Sequence, residues 1–455
     1  MTLRRSRAGR ASSPSLPALT MMALALLPAL ALLLPAAAMA APGACSALPE
    51  WFAGIPEVPT ATPASSCQFQ QFAWQTFLAL LTTSPAQPVP RYLTWDFPKP
   101  EMNRLFCASA CQGGTPATAF NECGGPPTEE VVNATTQPGF VPTGTSGEVI
   151  DQAGNPIYFT AHVSPLWLSF VGGHGLGDPN VLGAADARLA FPGGTFEIKT
   201  SWRRADGLTR AERAQYFVTR ACIIPEQKET KPFEADLALV GFHVTGGADN
   251  HPELIWATFE HVDNAPNCDE TPQPGPWGLY DGLADCRRRP SLCNRPNQSV
   301  TPYKPGPPIN VCRTVPHGGA DVDTARQIDH LNRDVEALLP RRSPLRFYEL
   351  VGTLWAANSS PARVPTMNLQ EPAGSPLLSN TTLETFKQGV SCFGCHSSQF
   401  PGEFAPITHQ PPSLAGQPSV TLVDKNLYAS HVVLFPYFFS AAHNCVCPGD
   451  AARRR

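Results

Sequence analysis

The sequence predicts an α+β protein: a central antiparallel β-sheet with flanking helices, long disulfide-stapled loops and a C-terminal helical segment. Three observations carry this. Strand-like alternation of apolar and polar residues recurs between residues 146 and 263. Helical spacing of apolar residues appears before and after that block. The connections hold most of the 50 prolines and the 14 cysteines, a composition suited to irregular, cross-linked loops.

The chain opens with Arg4, Arg5, Arg7 and Arg10, followed by an apolar run from about Leu19 to Leu34 and by Ala38-Met39-Ala40. A basic start, an apolar stretch and a small-x-small site together read as an export signal at residues 1–40, with the mature chain beginning at Ala41. A transmembrane anchor is the competing reading; the short run and the cleavage site argue against it. The expected location is the periplasm or the exterior. Residues 41–455 suffice for one large or two ordinary domains. Taking the four signal arginines from 33 basic residues leaves 29 against 37 acidic ones, a net charge of −8. That balance disfavours nucleic acid and anionic lipid as partners.

Taken in order, residues 41–145 are expected to hold one helix and then Cys- and Pro-rich loops. The helix is placed at Cys67–Thr83, where Phe69, Phe72, Ala73, Phe77, Leu80 and Leu81 recur at helical spacing. Residues 146–263 are the sheet region. Candidate strands are Asn155–Val163, Gly194–Trp202, Tyr216–Ile224, Asp236–Thr245 and Leu254–Asp263, the last two forming a pair. In the second, Phe196, Ile198 and Trp202 face one way and Glu197, Lys199 and Ser201 the other. On the next pair, His243 is assigned the face of Leu237, Leu239 and Gly241, and His261 that of Ile255, Ala257 and Phe259. Gly241 leaves room there for a bulky neighbour, an aromatic side chain or a haem. Residues 264–320 are a Cys- and Pro-rich excursion that needs disulfides to stay compact. Residues 321–455 are expected to be helical, starting with Val322–Leu339, whose stripe is Ala325, Ile328, Leu331, Val335 and Leu338. A short helix follows from Thr381, with Thr381 and Glu384 in a capping box.

That helix runs into Cys392-Phe393-Gly394-Cys395-His396. Two thiols three residues apart can each add to one vinyl group of a haem, and the histidine after the second can give the iron an imidazole nitrogen. Cys392 and Cys395 are the expected thioether residues, His396 the expected proximal ligand, and one covalent haem c the expected cofactor. A redox dithiol or a plain disulfide is the alternative; no βαβ unit, the setting of such dithiols, is visible. The even remainder of twelve cysteines suggests disulfides, with short staples inside the clusters Cys107/Cys111/Cys123 and Cys268/Cys286/Cys293/Cys312. No methionine follows His396, so the distal iron ligand is open among Met367, His243 and His261, with His409, His431 and His443 further downstream.

Several segments resemble a family of large exported bacterial proteins known only as cytochrome c family proteins. They are Gln71-Phe72-Ala73-Trp74-Gln75-Thr76-Phe77, Glu197-Ile198-Lys199-Thr200-Ser201-Trp202, Trp256-Ala257-Thr258-Phe259-Glu260-His261, and Ser379-Asn380-Thr381-Thr382 with the C-x-x-C-H motif. The resemblance implies no particular activity. A fainter one, to the β-sheet relatives of cytochrome c-prime, matches Lys199 to a lysine that in some of them is crosslinked to the haem. The expected function is electron transfer with a redox partner protein. The alternative is a haem enzyme or gas-ligand protein, of hydroxylamine or nitric oxide type, with an open distal site.

Overall fold

A computed structural model of the chain describes residues 45–95, 115–116, 130–134, 149–176, 181, 189–224, 233–268, 275–281, 297, 308–319, 321–360, 372–389, 391–393 and 445–446. The export signal expected at residues 1–40, Met367, Cys395 and His396 lie outside these residues, as do the three downstream histidines.

Helix α1 spans Ser66–Leu81, and Ser65 caps it by accepting from the Gln68 N–H. The expected apolar positions are all buried, and so are Trp74, Leu78 and Ala79. A helix apolar nearly all round belongs inside a core, and α1 packs in the main apolar cluster against the sheet. Phe77 stacks on Phe259 at 4.2 Å and meets Phe242 edge-on at 5.3 Å.

The sheet is built from β2 (Glu130–Ala134), β3 (Tyr158–Val163), β4 (Phe196–Arg204), β5 (Val218–Ile224), β6 (Phe233–Gly246), β7 (Ile255–His261), β8 (Tyr348–Ala356) and β9 (Pro372–Gly374). A separate antiparallel pair joins β1 (Thr115–Pro116) to β10 (Cys445–Val446). The long β6 organises the main sheet. One edge pairs with β4; the other pairs with β5 over residues 233–238 and with β7 over 241–246. The pairings β4–β3–β2–β5–β6–β4 therefore close a ring, from which β7, β8 and β9 extend.

The expected central antiparallel sheet is present, and four of the candidate strands overlap β3 to β6 while the fifth overlaps β7. Three features differ. β2 comes from the region assigned to loops and pairs in parallel with β5. β8 and β9 come from the region assigned to helices. β8 is covered on both faces, so its apolar run lacks the alternation that marks a half-exposed strand.

The third difference is a change of face. The register between β4 and β6 shifts between Ser201 and Trp202, leaving Val240 without a β4 partner. Such a bulge reverses the alternation beyond it. Leu237, Leu239, Phe242 and Val244 accordingly share the core under α1 with Phe196, Ile198 and Trp202. Gly241 and His243 face away, correcting the common face assigned to Leu237, Leu239, Gly241 and His243.

The α-helices with both ends among the described residues are α1, α2 (Pro165–Gly173), α3 (Arg210–Arg213) and α4 (Val322–Leu338). α4 matches its expected span and buries Ile328, Leu331 and Val335, while Leu338 is exposed. Asn332 joins three elements. Its Oδ1 accepts from Trp74 Nε1 at 2.9 Å and from the Leu350 N–H at 3.1 Å, and its Nδ2 donates to the Leu350 carbonyl at 3.0 Å.

Disulfides Cys45–Cys67 and Cys268–Cys312 are formed, the first at the head of α1 and the second closing the base of the 264–320 excursion. Cys222 is also disulfide-bonded. No helix among the described residues is long and apolar enough to cross a membrane.

Candidate functional site

The sheet face turned away from α1 is polar and covered. Lys199 on β4 lies opposite His243 on β6, which lies opposite Thr258 on β7, itself opposite Gly352 on β8. The next row holds Ser201, Gly241 and Glu260. Across these rows runs the segment from Ser375 to Gln388 that leads to Cys392. Two glycines let it lie flat: a Cβ at Gly241 would collide with Ser201, Thr382 and Asn380, and one at Gly352 with Ser375. The room beside Gly241 is thus taken by the chain's own turn, where an aromatic ring or a haem was expected.

The helix expected from Thr381 does not form; residues 381–386 are turn and bend. Its polar side chains bond to the sheet instead of capping a helix. The Thr381 N–H and hydroxyl donate to the two Glu260 oxygens, both at 2.7 Å. Asn380 Nδ2 donates to Thr258 Oγ1 at 2.9 Å and to the Phe259 carbonyl at 3.0 Å. Its Oδ1 accepts from the Thr382 N–H at 2.9 Å and from the Thr382 hydroxyl at 2.7 Å. Gln388 extends the attachment by accepting from the Thr314 N–H at 2.9 Å and donating to the Cys312 carbonyl at 3.0 Å.

Two charged clusters sit at this contact. Glu260, almost wholly buried, is paired with Arg313 at 2.8 Å. Glu384 receives His243 Nε2 at 2.8 Å and 2.9 Å and the Asn380 N–H at 2.8 Å. Burial pushes the Glu384 carboxyl up, but His243, Lys199 and the Asn380 N–H together hold it below the usual carboxylate range.

Cys392 is half-buried, and its Sγ lies 3.7 Å from the Leu378 carbonyl. It packs at the margin of an apolar cluster of Trp256, Val351, Leu354, Ala356, Leu378 and Phe393. Trp256 is two residues before Thr258 on β7, so Cys392 borders the same sheet face as His243.

The two described distal candidates part company. His261 is fully buried, with its ring stacked on Tyr216 at 3.7 Å. Its Nε2 lies 3.1 Å from the Gln215 carbonyl and its Nδ1 accepts from the Asp263 N–H at 3.2 Å. Burial lowers its pKa to about 3, so it is a neutral core histidine with both ring nitrogens engaged. His243 lies on the sheet face that Cys392 borders, with Nε2 held by Glu384. Among the described residues, no group of three His, Cys, Asp or Glu side chains is placed to hold a metal ion.

Local sequence pattern does not reveal the partners of His243 and Glu260. A usable signal was the density of Asn and Thr in Ser379–Thr385, which favours local side-chain bonding over helix. No protein-family model, curated protein or solved structure matches the chain.

Proposed function

We propose that this chain is an exported c-type cytochrome with one covalent haem c, attached through Cys392 and Cys395 and ligated by His396, that exchanges electrons with a redox partner protein. The observation that carries the reading is the C-x-x-C-H motif at 392–396. The surroundings of Cys392 suit such a group: the residue is half-buried and borders an apolar cluster that favours a macrocycle. A haem bound there supplies one-electron chemistry. The chain's own residues hold its first attachment point in place, through the turn pinned by Asn380, Thr381 and Gln388.

The test is a Cys392→Ala, Cys395→Ala double variant. Haem that survives denaturing gels is expected in the wild type and absent in the variant; its persistence in the variant overturns the reading. A second reading, a haem protein with an open distal side, is favoured by the engaged ring nitrogens of His261 and by the hold of Glu384 on His243. Carbon monoxide added to the reduced protein separates the two: ready binding supports the open site, and failure to bind supports a six-coordinate electron carrier.

A further inference from the structure

We infer that Lys199, His243 and Glu384 form an electrostatic site that sets the reduction potential of the group attached at Cys392. This rests on the proposed haem attachment.

Strands of a sheet lie about 4.8 Å apart and alternate residues about 6.7 Å apart, which puts His243 about 8 Å from Trp256 between backbones. Trp256 belongs to the apolar cluster that Cys392 borders. Glu384, bonded to His243, therefore stands within about one Debye length, ~10 Å in ordinary buffer, of that cluster, and Lys199, one strand further on, stands about 12 Å from Trp256 between backbones. Burial weakens the screening further: the side chains of His243 and Glu384 are only 10% and 18% exposed.

Glu384 is kept anionic by His243, Lys199 and a backbone N–H. Its neighbour pair, Glu260 with Arg313, compensates itself. Glu384 and Lys199 are charges of opposite sign on one side of the sheet, so removing either shifts the field at a redox group beside it in the opposite direction to removing the other. Reduction adds one electron from a one-electron donor and neither makes nor breaks a bond. A fixed anion favours the oxidised, more positive state, and a fixed cation favours the reduced state.

A purely structural role, pinning the turn, makes no such distinction of sign. The experiment is an equilibrium redox titration of the haem-loaded wild type, Glu384→Gln and Lys199→Met at one pH, with thermal unfolding run beside it. The expected result is a raised midpoint potential in Glu384→Gln and a lowered one in Lys199→Met. Shifts of the same sign, or none, overturn the inference. If Glu384→Gln does not fold, Lys199→Met decides alone: a lowered potential supports the site, and an unchanged or raised one overturns it. A wild-type protein without covalent haem overturns the proposed function and this inference with it.

Discussion

Replacing Asn380 with alanine tests whether the turn before the C-x-x-C-H motif is held by polar contacts rather than by chain connectivity. The side chain is 0% exposed and makes four hydrogen bonds to Thr258, Phe259 and Thr382. Two of the four partners can adapt. The Thr382 hydroxyl already lies 2.5 Å from Ser201 Oγ, and the Thr258 hydroxyl can rotate. The Thr382 N–H and the Phe259 carbonyl are backbone groups and cannot turn. Each buried polar group left unpaired costs about 1–3 kcal/mol, so the expected loss is about 4 kcal/mol. Urea unfolding measures it as a fall in midpoint at unchanged slope. Ser379→Ala is the control, since the buried Ser379 hydroxyl has no hydrogen-bond partner among the described residues; its expected change is within about 0.5 kcal/mol. An Asn380→Ala loss below about 1 kcal/mol would refute the reasoning. The haem-loaded fraction of the variant should fall alongside its stability.

Arg313→Met strips the buried Glu260 carboxylate of its cation and should cost about 3–5 kcal/mol in chemical unfolding, because the remaining charge stays desolvated. Removing the Cys45–Cys67 bridge, which spans 22 residues, should cost about 3 kcal/mol on the chain-entropy estimate, read by the same unfolding experiment with both cysteines changed to alanine. His261 makes the fold acid-sensitive: its folded pKa is about 3 against an ordinary 6.5. Between those values the unfolded chain binds a proton that the folded chain does not. Stability should therefore climb with pH through that window, by up to about 1.4 kcal/mol per pH unit from this group, and level off above the unfolded value of 6.5. Unfolding free energies measured from pH 4 to pH 8 should show that slope in the wild type and a shallower one in His261→Gln.

Much of the architecture was legible because it is written in local periodicity. α1 and α4 announce themselves by helical spacing, and β4 by the alternation of Phe196, Ile198 and Trp202 with Glu197, Lys199 and Ser201. β8 escaped because both its faces are buried, and β2 because a five-residue strand among Pro- and Gly-rich loops carries little pattern. The bulge at Val240 escaped as well: nothing in the residues of β6 alone says where its partner strand slips by one.

The sequence by itself determined α1, α4 and the strands β3 to β7, the candidate attachment motif at 392–396 and the expectation of disulfides. Only the tertiary structure decided which faces those elements present and what lies against them. His243 and Glu384 are 141 residues apart, and Thr381 and Glu260 are 121 apart. A hydrogen bond over such a separation depends on the whole sheet being assembled first. Once it is, buried polar groups must find partners, and Asn380, Thr381 and Glu384 reach the sheet rather than cap the helix that their spacing predicts.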